Sequence, residues 1–287
     1  MLKKPLNIAQ SLCDAGLRKI RLPLDRALLL AALAGSYIGF GAHLSITVSM
    51  DMQPILGAGL SKLVSGAVFS VGLMLIVIGG AELFTGNNLI ILSCLAGRSK
   101  IKKVLRSWAI VYVGNFIGSL LLVYLIYLGG FYNSANGALG IRVLSIANAK
   151  VNQGFIQLVA RGILCNWLVC LAVWMASSTE DIVGKMLACL FPITAFVASG
   201  YEHCIANMFF VPMGILLKNI PNLASEAGVN IANLNWMSFV TKNLLPVTIG
   251  NLIGGVIFVA TTYWYVYLRQ PSLRVIKGEL RDDLPRD

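Results

Sequence analysis

The sequence predicts an all-α polytopic membrane protein with six transmembrane helices in two inverted three-helix repeats, the second and fifth helices being broken. Three observations carry this reading. The chain is 57% hydrophobic and only 12% charged, whereas soluble domains carry about 25% charged residues. Glu82 and Glu202 are each the sole formal charge in a long apolar stretch, residues 63–97 and 186–217. The sequence around the first glutamate recurs, in the same order, around the second. A carboxylate deep in hydrocarbon is expensive and by default marks a functional site. Two of them in matching settings point to one site built twice.

Residues 1–26 precede the first apolar segment. Ile8, Leu12, Ala15, Ile20 and Leu22 recur there near helical spacing, with Asp14, Arg18 and Lys19 between them. This is the pattern of an amphipathic helix lying on the cytoplasmic membrane face, as a gate or as an anchor. Residues 27–268 form the six-helix transmembrane domain. Its six passes are 27–48, one within 63–97, 107–129, 154–176, one within 186–217, and 243–268; a span needs about 20 apolar residues. Residues 269–287 are a cytoplasmic tail. Segments two and five are too long to be simple, since straight helices of that length would run roughly 50 Å against a hydrocarbon core of about 30 Å. Both are punctuated at their centres, by Gly79-Gly80-Ala81-Glu82-Leu83-Phe84-Thr85-Gly86-Asn87 and by Ala198-Ser199-Gly200-Tyr201-Glu202-His203. Each reads as two half-helices joined by a non-helical loop, which is tolerated at membrane depth only where it is buried in protein or lines a cavity. The plainer alternative is a tilted, kinked helix.

The net charge of +11 does not indicate nucleic acid. With both termini in the cytoplasm, 17 of the 23 Lys and Arg fall on the inside, while Lys62, Arg142, Lys150, Arg161, Lys218 and Lys242 lie in outer loops. That distribution follows the positive-inside rule. The N-terminus lacks the apolar core of a secretory signal. The six cysteines show no zinc-type pairing and read as small buried hydrophobes. No cofactor or metal is expected, and the chain does not read as an enzyme: no Ser/His/Asp constellation, metal cluster or nucleotide loop is found.

The halves repeat. Glu82 and Asn87 return as Glu202 and Asn207, each 120 residues on. Val111-Tyr-Val-Gly-Asn115-Phe-Ile-Gly118 returns as Val247-Thr-Ile-Gly-Asn251-Leu-Ile-Gly254. Three passes per copy is an odd number, so the second copy enters from the opposite side. Inverted repeats with broken helices meeting near the midplane are an architecture for moving solutes.

His203, inside the second break, is one of only two histidines; an imidazole there can attract an anion or exchange a proton near physiological pH. His43 lacks this context and reads as structural. Glu82 and Glu202 read as orienters that accept hydrogen bonds from freed loop amides or face a partner in the other repeat, because a carboxylate facing the pore would repel anions. Phe69, Leu73, Leu83, Phe84 and Phe196 flank the breaks and are candidates for hydrophobic constrictions. Thr85, Asn87, Asn166, Asn207 and Asn251 are neutral polar groups that line a pore or glue helices together.

Together these motifs resemble the formate/nitrite transporter family. The matching stretches are Gly80-Ala-Glu-Leu-Phe-Thr-Gly-Asn87, Arg161-Gly-Ile-Leu-Cys-Asn-Trp-Leu-Val-Cys170, Gly200-Tyr-Glu-His-Cys-Ile-Ala-Asn-Met-Phe-Phe-Val-Pro-Met-Gly214 and Gly250-Asn-Leu-Ile-Gly-Gly255. The resemblance implies a homopentamer of aquaporin-like protomers in the cell (inner or plasma) membrane, each with its own pore. It implies His203 as the central pore histidine and Thr85 as its contact or the ion's. Phe69, Leu83 and Phe196 would form one constriction, and Leu73 with Phe84 the other. Asn166, Asn251 and Glu202 would belong to the pore, Lys19 to its cytoplasmic mouth, and Glu82, Asn87 and Asn207 to the structural loops. The implied cargo is a small monovalent weak-acid anion, formate first, with nitrite or hydrosulfide served by the same motifs. A bare anion in an apolar neck meets a steep desolvation penalty and a neutral acid a smaller one, which makes transport proton-linked and pH-sensitive. A neutral-solute channel is the weaker alternative, because neither an arginine filter nor paired Asn-Pro-Ala loops is found.

Overall fold

The computed structural model describes residues 2–269. Apart from Arg269, the tail expected at 269–287 lies outside the described residues. The described chain is helical throughout. Helix α1 (Pro5–Lys19) starts at a proline, whose missing N–H is no loss in a first turn. It buries Ile8, Ala9, Leu12, Cys13 and Gly16 against Leu89, Ile90, Ile91 and Leu92. Its apolar face thus docks on protein. The helix stops at Lys19, so Ile20 and Leu22 lie beyond it.

Helix α2 (Leu24–Ser49) follows. Next come α3 (Gln53–Phe69) and α4 (Val71–Gly79), in line across Ser70. The apolar run therefore begins ten residues before the expected Leu63. Non-helical backbone leads from Gly80 to a 3-10 turn (Gly86–Ile90) and the short α5 (Ile91–Leu95). After α6 (Ile101–Leu128) comes α7 (Ala138–Val151), a helix the sequence reading had left inside an outer loop. Helix α8 (Phe155–Ala176) precedes α9 (Ile182–Ala198), capped by Asp181, whose Oδ2 accepts from the Gly184 N–H at 2.6 Å. A second interruption separates α9 from α10 (Cys204–Leu217). The short α11 (Leu223–Glu226) leads to α12 (Trp236–Leu268). Helix α12 widens to π geometry over Phe239–Leu244. Pro246, just beyond, has no N–H to donate, and a wider turn absorbs the missing bond. Among the described residues five helices, counting α3 and α4 together, are long and apolar enough to cross a membrane; α9 and α10 are shorter apolar helices. Leu29, Phe40, Ile117, Leu121 and Leu125 are exposed on the outer surface, a liability in water and no penalty against hydrocarbon.

Small residues set the close packing. A Cβ on Gly118 would overlap the Ala32 carbonyl, and one on Gly254 the Ile163 carbonyl. These are the equivalent contacts of α6 on α2 and of α12 on α8. Gly118→Ala is expected to destabilise the protein by about 1–3 kcal/mol, the usual penalty of overpacking. The same change at Gly59, around which nothing lies within 4 Å, serves as the control. Thermal midpoints of the purified variants in detergent check this, and equal midpoints would contradict it.

The start of α1 is tied to the α8–α9 connection. The Lys3 N–H donates to the Ser178 carbonyl at 2.9 Å, and Lys3 Nζ to Glu180 Oε1 at 2.9 Å. The Lys3 hydrogen bond, and then that of Lys185, hold the Glu180 carboxyl below its ordinary value. A lowered folded-state value means that the tether is present above the ordinary carboxylate range and is lost as pH falls through the lowered one. Glu180 is itself exposed, so this pair adds little to what the buried face of α1 already provides.

Candidate functional site

Two breaks face each other, and the same small set of bonds shapes both. Helices α4 and α9 end in left-handed glycines, Gly80 (φ 77) and Gly200 (φ 73), a backbone open to glycine without strain. The next amide turns back on the helix: Ala81 N–H to the Ile76 carbonyl at 3.1 Å, and Tyr201 N–H to the Phe196 carbonyl at 3.0 Å. The glutamate amides cross to neighbouring helices, Glu82 N–H to Leu30 O at 3.2 Å and Glu202 N–H to Arg161 O at 3.3 Å. One asparagine then clamps each loop. Asn115 Nδ2 donates to the carbonyls of Ala31 (2.8 Å) and Glu82 (2.9 Å), and its Oδ1 accepts from Phe84 N–H (2.9 Å). Asn251 Nδ2 donates to the carbonyls of Gly162 (2.8 Å) and Glu202 (2.9 Å), and its Oδ1 accepts from Cys204 N–H (2.9 Å). Freed backbone groups are thereby re-satisfied, as a membrane interior requires.

The glutamate side chains do not accept from loop amides as expected. Each is buried against a lysine and an asparagine. Glu82 pairs with Lys19 at 3.1 Å and accepts from Asn87 Nδ2 at 2.6 Å. Glu202 takes Lys150 on both oxygens, at 3.0 and 2.9 Å, and accepts from Asn207 Nδ2 at 2.8 Å. A lone carboxylate in this setting would be prohibitive, and the lysine neutralises it. Lys150 was missed because it had been placed in an outer loop. It sits on α7, its side chain 13% exposed. The signal was present: Lys19 and Lys150 are 131 residues apart, the same offset as the Leu30/Arg161 and Ala31/Gly162 carbonyls. Asn243, which accepts from Asn207 Nδ2 at 2.8 Å, carried no such signal.

Two cavities approach the centre from opposite sides. One, about 240 Å³, is lined by Lys19, Leu73, Gly80, Glu82, Leu83 and Asn87. The other, about 390 Å³, is lined by Phe69, Lys150, Phe196, Glu202, His203 and Asn207, among others. Between their floors lies a buried layer in which Thr85 Oγ1 and His203 Nε2 are 2.9 Å apart. His203 also caps α10: its Nδ1 accepts the Ala206 N–H at 3.1 Å. A nitrogen that accepts carries no proton, so in the neutral ring Nε2 bears the hydrogen and donates to Thr85. The imidazole stacks on Phe196 (centroids 5.9 Å apart, planes at 21°), and Phe196 meets Phe69 edge-on at 5.7 Å.

The expected groupings change in three places. Leu83 lines the cavity of Leu73, not that of Phe69 and Phe196. Phe84 points away from both, with its ring 4.8 Å from Tyr112 and 6.4 Å from Trp108. Asn166 and Asn251 line neither cavity. Asn166 Nδ2 donates to Asn88 Oδ1 and to the Asn251 carbonyl, both at 2.7 Å, so these amides hold the loops together. His43 lies edge-on to Phe131 and Phe209. No group of three or more His, Cys, Asp or Glu side chains able to hold a metal assembles among the described residues.

This constellation has counterparts. The formate/nitrite transporter family model matches residues 6–265. Formate channel FocA of Escherichia coli (strain K12) is 41% identical over 273 residues, covering 93% of this chain and 95% of that protein. A probable formate transporter of Methanothermobacter thermautotrophicus is 40% identical over 283 residues, covering 93% of this chain and 98% of its own length. Among solved structures, a pentameric formate channel with formate bound superposes with a TM-score of 0.76 at 39% identity, covering 86% of this chain and 98% of that one. An FNT family ion channel gives a TM-score of 0.78 at 32% identity, covering 91% and 98%. With the match running from α1 into the last turns of α12, the chain belongs to the formate/nitrite transporter family of membrane transporters and channels.

Proposed function

We propose that this protein is a channel for formate and related small monovalent weak-acid anions. In this reading it works as a homopentamer of aquaporin-like protomers in the cell membrane, with both termini in the cytoplasm. Six passes form two inverted repeats, the α3–α5 and α9–α10 segments being the broken ones. The duplicated bonds of Asn115 and Asn251, and of Lys19–Glu82 and Lys150–Glu202, support the repeat. The relatives named as formate channels support the cargo, and the pentameric neighbour supports the assembly. Transport rather than catalysis is the activity.

One observation carries the mechanism: the buried Thr85–His203 contact separating two cavities. An anion reaching this layer loses its water to apolar walls, with Phe69 and Phe196 on one side and Leu73 and Leu83 on the other. The ionised form is strongly disfavoured there. Taking a proton from the cavity water turns the anion into its neutral acid. His203 Nε2–H can turn its hydrogen bond from Thr85 to an oxygen of the guest, and the Thr85 hydroxyl can take up the other oxygen. Past the neck, the acid releases its proton to water. Each crossing then carries one anion and one proton. An imidazolium at this point requires Nδ1 to give up the Ala206 cap, so the neutral ring is the resident form while α10 is capped.

Stopped-flow light scattering of proteoliposomes tests the reading. Rapid swelling in formate with none in glycerol is the expected result. Swelling in glycerol without formate entry would identify a neutral-solute pore and sink the proposal.

A further inference from the structure

The cavity that ends at His203 is charged in a way its counterpart is not. Four cationic side chains line it, Lys62, Arg142, Lys150 and Arg161, against one carboxylate, Glu202. Lys150 occupies both oxygens of that carboxylate, and the two charges cancel. Arg161 Nη1 donates to the neutral Gln153 Oε1 at 2.8 Å and keeps its charge. Lys62 and Arg142 enter no ion pair among the described residues. Arg142 Nε is buried without a hydrogen-bond partner. In the opposite cavity one lysine and one glutamate, Lys19 and Glu82, pair with each other. Among the described residues that line them, one mouth therefore holds three uncompensated positive charges and the other none.

A buried donor without an acceptor is destabilising, and a guanidinium fork matches the two oxygens of a carboxylate. Walls of low dielectric focus the field of such a cluster and raise the local anion concentration. We infer that Arg142, supported by Lys62 and Arg161, is a capture site for small carboxylate anions, occupied before the ion meets Phe196 and His203. The inference rests on the channel reading above and goes beyond it, because it makes the protein asymmetric. Entry from the Arg142 side saturates at lower anion concentration than entry from the Lys19 side. In the proposed orientation the capture side faces out, which suits scavenging of dilute anion from the medium.

The test compares formate entry into right-side-out and inside-out vesicles carrying wild-type, Arg142→Gln or Lys62→Gln protein. For entry from the Arg142 side, Arg142→Gln is expected to raise the half-saturating formate concentration roughly five-fold or more at low salt. The increase shrinks as added salt screens the cluster. Flux at saturating formate, and half-saturation from the other side, stay near wild type. Should Arg142→Gln fail to assemble, Lys62→Gln at its exposed position reads the same quantity, with a rise of about two-fold. An unaltered half-saturation, or an equal loss of saturating flux from both sides, overturns the capture site. Absence of formate flux through the wild type overturns the channel reading itself, so the two failures are distinct.

Discussion

Replacing Glu202 with leucine is expected to destabilise the protein by about 3–5 kcal/mol, the usual consequence of removing one partner from a buried ion pair. Glu202 and Lys150 have side chains only 5% and 13% exposed, so water cannot replace the lost carboxylate. The ammonium is left over the Phe210 ring at 5.2 Å, and Asn207 Nδ2 loses an acceptor. The double change Glu202→Leu with Lys150→Met removes the stranded charge along with its partner. It is expected to recover more than half of the loss, since a well-packed apolar pair is often as stable as the ions it replaces. Thermal unfolding of the single and double variants in detergent decides the matter. If the double variant is no more stable than the single, the pair is not what holds the second break. The exposed Lys3–Glu180 pair provides the contrast, because surface ion pairs contribute little.

His203→Phe is expected to leave a folded protein whose formate flux is at least ten-fold lower at every pH. Phenylalanine keeps the ring that stacks on Phe196 but removes both polar contacts, Nε2 to Thr85 and the Ala206 cap on Nδ1. Losing the cap weakens the start of α10 by about 1 kcal/mol, which the surrounding packing can absorb. Losing one of the two polar contacts offered to the guest at the top of the barrier is the larger effect, since about 1.4 kcal/mol there is a factor of ten in rate. Thr85→Val, which keeps the imidazole and its cap, is expected to lose less. Proteoliposome flux between about pH 5 and 8, a range over which the supply of protons to the weak acid changes about a thousand-fold, is the measurement. Wild-type flux in His203→Phe would remove the histidine from the mechanism.

Much of this was legible in the residues. Glu82 and Glu202 announced the two breaks, because charge in an apolar run has no bland explanation. The Asn115 and Asn251 motifs announced the third helix of each half. Legibility ended where a role depends on which way a side chain turns. Leu83 and Phe84 are adjacent, and the loop turns one toward a cavity and the other toward Trp108 and Tyr112; no periodicity exists in a non-helical loop to tell them apart. Asn166 and Asn251 are polar residues in apolar helices, a pattern shared by pore lining and by helix glue. Lys150 was hidden for another reason. Its helix is only moderately apolar and follows glycines at 129, 130 and 137, so it read as loop. Aligning it with α1 by the 131-residue offset would have exposed it.

The two halves keep the same bonds while the spacing between equivalent residues drifts. Lys19 and Lys150 are 131 apart, Glu82 and Glu202 are 120 apart, and Asn115 and Asn251 are 136 apart. The change from 131 to 120 lies in the helices, α3–α4 running 27 residues against 17 in α9, whereas the change from 120 to 136 falls mainly in the stretch from Leu217 to Trp236, where only the short α11 and a 3-10 turn occur. The exposed turn around Gly228 is therefore the natural place to splice in an epitope or a fluorescent reporter, since Leu223 and Leu234 on either side are buried in the core.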